Sequence, residues 1–387
     1  MKYWRGYLTA AIFTAITLAL RQLGERYSTL VDMVYPYVTR SIQGFLAVWT
    51  SAVDFNVWQI VGIALVVVAL AVLVLTVIFK RSVIQWAGWV LAVCSIFACL
   101  HTAIYGLNYY AGPIESDLRL EMQPYSQEEL AAATVYYRDK ANELAPTFPR
   151  DEAGNPVFSD FETLASQTGS AYRHLVRERY FSIFGGEYVP VKKLGGADWY
   201  TARGVSGYTC YLTGEAAVNP QIPAQALPFN MAREMAHRMC VARDNEADFS
   251  AFLACEASDN PEYQYSGYFM AYRYCLSALR SGAPESAEKI AAGCVSEFAA
   301  DLASYDRFYE DHQDKEITEL GNKVSDAYLA VTGGDTGIPS YGRVSDYLVN
   351  WYRSLYVVEE EEEIPQFDPY DKNQVDLSGL VNAPTAE

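Results

Sequence analysis

Arg233-Glu234-Met235-Ala236-His237, followed by Asp244-Asn245-Glu246-Ala247-Asp248-Phe249, gathers the side chains best suited to chemistry. Residues four apart share a helix face, so positions 233 and 237 look the same way. In a zinc peptidase helix that spacing belongs to two metal-binding histidines. The glutamate after the first one activates the metal-bound water as general base, and a third His or Glu ligand comes from farther along the chain. Here position 237 keeps the second His and position 234 keeps the Glu. Glu246 stands nine residues after His237 on what reads as a second helix, and position 233 is Arg. A guanidinium stays protonated and offers only donors, so it cannot coordinate a cation. His237 and Glu246 alone fall short of the three protein ligands that a catalytic zinc keeps. His174 and His312 lie in the same part of the chain as substitute ligands, without motif spacing to His237. Read in isolation, Glu-x-x-His is also compatible with an ordinary solvated helix face.

The elements that must position these residues follow from how charge is distributed. The chain has 387 residues, 51% hydrophobic and 20% charged, with a formal net charge of −18. Residues 1–109 carry seven basic and three acidic side chains, a balance of +4 that leaves −22 for the remainder. An acidic majority excludes a generic nucleic-acid binder, which needs cationic surface for phosphates. Between Val57 and Phe79 there is no charge, and about 20 apolar residues suffice to span hydrocarbon as a helix. A second uncharged stretch lies between Arg81 and Glu115, with Trp86, Trp89 and Tyr105 placed for the interfaces. Gly6–Leu20, flanked by Lys2, Arg5 and Arg21, reads as an uncleaved first span, because no small-x-small cleavage site follows it. Lys2, Arg5, Lys80 and Arg81 then belong in the cytoplasm by the inside-positive bias, which puts the large acidic domain outside the cell.

The connection 24–56 spaces Leu30, Val31, Val34 and Val38, then Ile42, Phe45, Leu46 and Trp49, at helical intervals. An interfacial helix fits that pattern, and so does a packed one. His101 falls inside the third span, where an ionisable group suggests either an ion path or a neutral, hydrogen-bonded ring. Beyond Gly112-Pro113 helices dominate. Ser126 with Glu129 reads as a capping box opening a helix over 127–142, and 161–184 is again helical. The Gly- and Pro-rich segment 185–228 suggests short strands. Helix resumes over 229–279 with a break near Asp259-Asn260-Pro261, then over 286–309, 316–329 and 347–356. Glu359–Glu363 opens a tail whose like charges repel, a signature of disorder. Cys210, Cys240, Cys255, Cys275 and Cys294 are odd in number without a Cys-x-x-Cys pair, leaving one or two disulfides or buried thiols open. Tyr263, Tyr265, Tyr268, Tyr272 and Tyr274 crowd one segment as core packing or as a cleft wall.

Longer motifs carry a family resemblance. They are Gly204-Val205-Ser206-Gly207-Tyr208, Thr213-Gly214-Glu215-Ala216, Leu227-Pro228-Phe229, Glu234-Met235-Ala236-His237 and Asn245-Glu246-Ala247-Asp248-Phe249. Gly106-Leu107-Asn108-Tyr109-Tyr110 extends the likeness upstream, and Tyr265-Ser266-Gly267-Tyr268 and Ser340-Tyr341-Gly342-Arg343 extend it downstream. In order and spacing they resemble the bacterial membrane family known as domain of unknown function 3810, which is similar to zincins with a Glu third ligand. The resemblance implies Glu234 as general base, His237 as second ligand and Glu246 as third. Asp248 stands where Asn is usual, and Arg233 where the first His belongs. On this reading Arg233 takes over the electrostatic task of the lost metal, pairing with Glu246 or with Glu234 across the cleft.

The expected architecture is mainly α: three N-terminal transmembrane helices, then an extracytoplasmic, mostly helical zincin-like domain with a few short strands. The divisions are 1–23, 57–79 and 83–109 for the spans and 24–56 for the amphipathic connection. They continue with 115–356 for the domain and 357–387 for the acidic tail. The expected function is a metallopeptidase-like domain that has lost catalysis and binds a peptide or cell-envelope partner. No cofactor is expected in this chain, or zinc if the family site still works. The alternatives are an active membrane-anchored zinc peptidase with an unusual ligand set, and a purely structural membrane protein. The expected partners are the lipid bilayer and that peptide, with no nucleic acid.

Overall fold

In lipid an uncharged run can satisfy its backbone only by closing it into a helix or a barrel, and Val57–Ile78 is a helix. A computed structural model describes residues 4–179, 181–314, 318, 319, 323 and 340–362. The N-terminal part consists of α1 (Arg5–Arg26), α2 (Ser28–Thr50), α3 (Val57–Ile78) and α4 (Val83–Ile104). Helices α1, α3 and α4 are long and apolar enough to cross a membrane. At 1.5 Å per residue, 22 residues span about 33 Å, against about 30 Å of hydrocarbon. Helix α4 ends at Ile104, short of the expected 109, and gives way to a 3-10 turn over Gly106–Tyr110.

Helices α1 and α4 run parallel. A Cβ on Gly6 would lie 2.5 Å from the carbonyl carbon of Gly88, so the two backbones touch where only glycine fits. The pairing continues through Tyr7 OH to the Ile84 carbonyl (2.9 Å), Thr14 with Ser95, and Arg21 Nε to Tyr110 OH (3.2 Å). Helix α3 returns antiparallel to α4 through a tight loop in which Lys80 adopts φ 49° and Ser82 caps α4. The connection expected over 24–56 is the 23-residue helix α2.

The domain continues with α5 (Ile114–Leu118), α6 (Gln127–Leu144), α7 (Phe161–Arg179) and α8 (Ala197–Thr201). The capping box that opens α6 is formed as expected: the Ser126 hydroxyl accepts from Glu129 N and the Glu129 carboxylate accepts from Ser126 N. Three short strands follow the breaker-rich sequence, β1 (Lys192–Lys193), β2 (Gly207–Cys210) and β3 (Glu215–Val218). Buried β3 lies in the centre, parallel to β1 and antiparallel to β2, with Tyr208 opposite Ala217. Then come α9 (Leu227–Arg238), α10 (Asp244–Glu256), α11 (Pro261–Gly282), α12 (Pro284–Ala291), α13 (Ser296–His312) and α14 (Ser340–Glu362).

Further boundaries differ from expectation: the stretch expected over 286–309 forms two helices, α12 and α13, and α14 starts at Ser340 rather than at 347. The helical stretch 229–279 breaks twice, at Cys240, where the backbone turns left-handed (φ 72°), and at the extended Asn260 that caps the helix starting at Pro261. Helix α14 runs six residues past 356, since glutamate is a good helix former despite like-charge repulsion. The helix expected over 316–329 and the tail beyond 362 lie outside the described residues.

Aromatic residues of α10 and α11 form the core, with Phe249, Phe252, Tyr263, Tyr265, Phe269 and Tyr272 fully buried. Their hydroxyls are satisfied, as burial requires. Tyr263 reaches Thr168 and the Leu164 carbonyl, and Tyr265 donates to Asp301, which Arg150 also holds. Packing is therefore the role of Tyr263, Tyr265 and Tyr272. All seven cysteines are free thiols, three of the five domain cysteines being buried.

The domain is keyed onto the spans by polar contacts. Glu215 on β3, its side chain fully buried, accepts from Val57 N (2.9 Å) and Trp58 N (3.0 Å) and from Lys192 Nζ (2.7 Å). A carboxylate there satisfies two orphan donors of α3 and complements its positive end. Arg243 donates to the carbonyls of Tyr109 and Ala111 just after α4.

Glu256, at the end of α10, accepts from Trp351 Nε1 (2.8 Å), and burial pushes its pKa up to about 7. The folded state thus binds a proton that the unfolded chain has already released above its ordinary carboxylate range. Stability should fall as pH rises from about 4.5 to about 7, by on the order of 1–3 kcal/mol from this group. Melting curves of the full chain in detergent should show this slope, and Glu256→Gln should flatten it. An unchanged slope in the variant would remove Glu256 as its source.

Candidate functional site

Helix α9 begins with Pro228 in its first turn, where the missing N–H is no loss. Arg233, Glu234 and His237 lie in its second half, packed against α10 and under β2. Arg233 donates from Nε to Asp248 Oδ1 (2.7 Å), from Nη1 to Glu234 Oε1 (2.9 Å) and from Nη2 to Asp244 Oδ1 (2.5 Å). Its side chain is 21% exposed, that of Glu234 2% and that of Asp244 46%. Burial works against the guanidinium charge, but Asp248, Asp244 and Glu234 outweigh it and hold the pKa well above the usual value. Burial likewise acts to raise the pKa of Asp244, yet Arg233 and His237 hold it well below the carboxylate range. For Asp248 burial prevails over Arg233 and the pKa rises.

A surrounding layer fixes these carboxylates. The Thr209 hydroxyl on β2 donates to Glu234 Oε2 at 2.7 Å. A Cβ at Gly207 would fall 2.6 Å from Glu234 Cγ, so β2 approaches this closely only with glycine there. Tyr274 OH on α11 donates to Asp248 Oδ2 at 3.1 Å. His237 Nδ1 lies 2.9 Å from the Val241 carbonyl, which can only accept, so that nitrogen carries a proton. Nε2 then faces Asp244 Oδ1 at 3.4 Å.

Arg233, Glu234 and His237 thus come together, and Arg233 pairs with Glu234, one of its two expected partners. Glu246 does not join them. It is buried beside Arg243, whose Nη1 donates to Oε1 at 2.8 Å, and burial raises its pKa. Asp244 and Asp248 are four apart on α10 and share a face, whereas Glu246, two residues from each, lies about 200° around the helix. The pairing of Arg233 with Glu246 is therefore replaced by pairing with these two aspartates. Their i, i+4 spacing was the signal available in the sequence. For Thr209 and Tyr274 there was none, because both come from other elements.

His174 pairs with Asp259 (3.6 Å), and His312 stacks on Phe308, so neither histidine enters this centre. In α4 the His101 ring lies against Tyr105 and Tyr211.

Zinc, which the sequence resemblance brings to mind, can be tested against this donor set. A divalent cation needs carboxylate and imidazole lone pairs converging on open space. Here the lone pairs of three carboxylates converge on guanidinium N–H groups, and a fixed cation stands among them. Among the described residues no three His, Cys, Asp or Glu side chains are arranged to hold a metal ion. The residues present do not fit a catalytic zinc site.

Removing the guanidinium would strand buried carboxylates, which typically costs about 3–5 kcal/mol. Arg233→Met should therefore lower the melting temperature of the full chain sharply, and Asp244→Asn, at the half-exposed rim, far less. Equal and small effects of the two would mean that the network does not hold the domain together.

Over residues 31–349 the chain matches the family model described as protein of unknown function (DUF3810). No curated protein and no solved structure matches it. The family match covers most of the chain, α3, α4 and the Arg233 centre included, and the protein belongs to the DUF3810 family.

Proposed function

We propose that this protein is a membrane-anchored member of a zincin-like group in which the metal centre has been replaced by an ion pair network, and that the domain binds a polypeptide without cleaving it. The observation that carries this reading is the guanidinium of Arg233 held by Glu234, Asp244 and Asp248. In a zincin the Glu234 position takes a proton from metal-bound water. Here Glu234 instead accepts from both Arg233 and Thr209, an arrangement that occupies both of its carboxylate oxygens.

Binding without hydrolysis is supported by what remains beside the centre. Strand β2 is the edge of its sheet, paired with β3 on one side. An extended peptide can add to such an edge through its backbone groups. Asp244 is 46% exposed, an anionic rim able to accept from a backbone N–H or a cationic side chain of the bound segment. Lys80 and Arg81 sit in the α3–α4 loop, and Arg5 begins α1, all at the end of the spans away from the domain. By the inside-positive bias that end is cytoplasmic and the domain extracytoplasmic.

The test uses the full chain in detergent. Elemental analysis should give well under one zinc per chain, peptide mixtures should stay uncleaved with or without chelator, and Arg233→His should gain metal. Panning a displayed peptide library should recover ligands whose binding is weakened by Asp244→Asn. Stoichiometric zinc with chelator-sensitive cleavage would establish an active peptidase instead. Neither metal nor peptide binding, with Asp244→Asn altering stability alone, would establish a structural role.

A further inference from the structure

Helix α2 carries its polarity the wrong way round for a helix exposed to water. Its two charged residues face the rest of the protein. Asp32 accepts from Gly112 N at 2.7 Å, and Arg40 donates to the carbonyls of Ser182 (3.0 Å) and Met239 (3.2 Å). Thr39 meets Asn108, Gln43 donates to the Tyr211 carbonyl (2.9 Å), and Thr50 reaches the Thr213 carbonyl. The opposite face presents Leu30, Val34, Val38, Phe45, Val48 and Trp49, each 48–68% exposed, and carries no charge. Such a continuous apolar strip marks an interaction surface rather than ordinary solvated surface.

Chain connectivity identifies what covers it. Helices α1 and α4 are parallel, and the end of α1 at Gly24 packs on Leu107 and Tyr110, just past α4 and next to the domain. Helix α3 begins at Val57 and Trp58, whose N–H groups are held by Glu215 of the domain. Helix α2 leaves α1 after Arg26 and reaches α3 by Val57, so both its ends lie on the domain side of the membrane. A single helix that starts and finishes on one side does not cross.

We infer that α2 is an in-plane membrane helix whose outward face is immersed in the lipid bilayer at the boundary of headgroups and acyl chains. Tethering to a span at each end holds it at that depth, and Trp49 and Phe45, in edge contact, supply rings suited to the interface. Its polar inward face seats the domain. Arg40 holds the carbonyl of Met239, just past the end of α9, so the Arg233 centre is carried directly above the bilayer surface.

The test reads Trp49 as a difference between the wild-type full chain and Trp49→Phe, both in phosphatidylethanolamine–phosphatidylglycerol vesicles. An apolar face buried about 5–10 Å into the boundary region predicts that lipids brominated near the top of the acyl chains quench more than half of the difference emission. Aqueous iodide should leave it nearly unchanged. Iodide quenching without bromolipid quenching would overturn the inference, as the face would then be in water. Bromolipid silence in particles containing two chains by light scattering would overturn it in favour of a second copy. Val38→Trp in the Trp49→Phe background repeats the reading at a second point on the same face.

Discussion

A permanently charged guanidinium set between two helices has to be matched where it stands, and much of the domain is arranged around that need. Arg233 cannot lose its proton at accessible pH, and removing it from water without counter-charges would cost far more than the whole stability of a domain. The match comes from Glu234 on its own helix and from Asp244 and Asp248 on the next. Each carboxylate then recruits a further donor, Thr209 from β2 for Glu234 and Tyr274 from α11 for Asp248. One cation thereby ties together α9, α10, α11 and the small sheet.

The same sheet connects this centre to the membrane. Strand β2 supplies Thr209 to the Arg233 network, and its neighbour β3 supplies Glu215 to the first two N–H groups of α3. Tyr208 on β2 packs against Trp58, the second residue of α3, with ring centroids 4.8 Å apart. Tyr211, at the end of that strand, stacks on Tyr105 at the end of α4. These contacts are specific in direction as well as in area, since they combine buried charge with fixed hydrogen-bond geometry. The domain is consequently held in one orientation over the spans, and α2 fills the space between.

Much of the fold was legible because it follows from local rules. The three spans follow from length without charge, the start of α6 from the Ser126–Glu129 pair, and the strands from the glycine and proline density around 185–228. Arg233 as a poor metal ligand follows from guanidinium chemistry alone, and Glu234 was one of the two partners expected for it. Glu246 was misjudged as its partner because motif spacing counts residues and ignores the rotation of the helix that carries them. Arg243, three residues before Glu246, reaches it within the same first turn, whereas Asp244 and Asp248 face α9. The turn at Cys240, which sets that rotation, has a left-handed backbone on a residue type that gives no hint of it.

By itself, then, the sequence determined that apolar helices long enough to cross a membrane precede an acidic helical domain, and that a permanent cation, Arg233, stands beside Glu234 and one helical turn before His237. Hydropathy, helix capping and the pKa of arginine are properties of residues and their near neighbours. Only the tertiary structure decided which carboxylates answer that cation and which way the apolar face of α2 looks. Both depend on the relative rotation and placement of packed helices, and those are set by contacts among residues far apart in the chain.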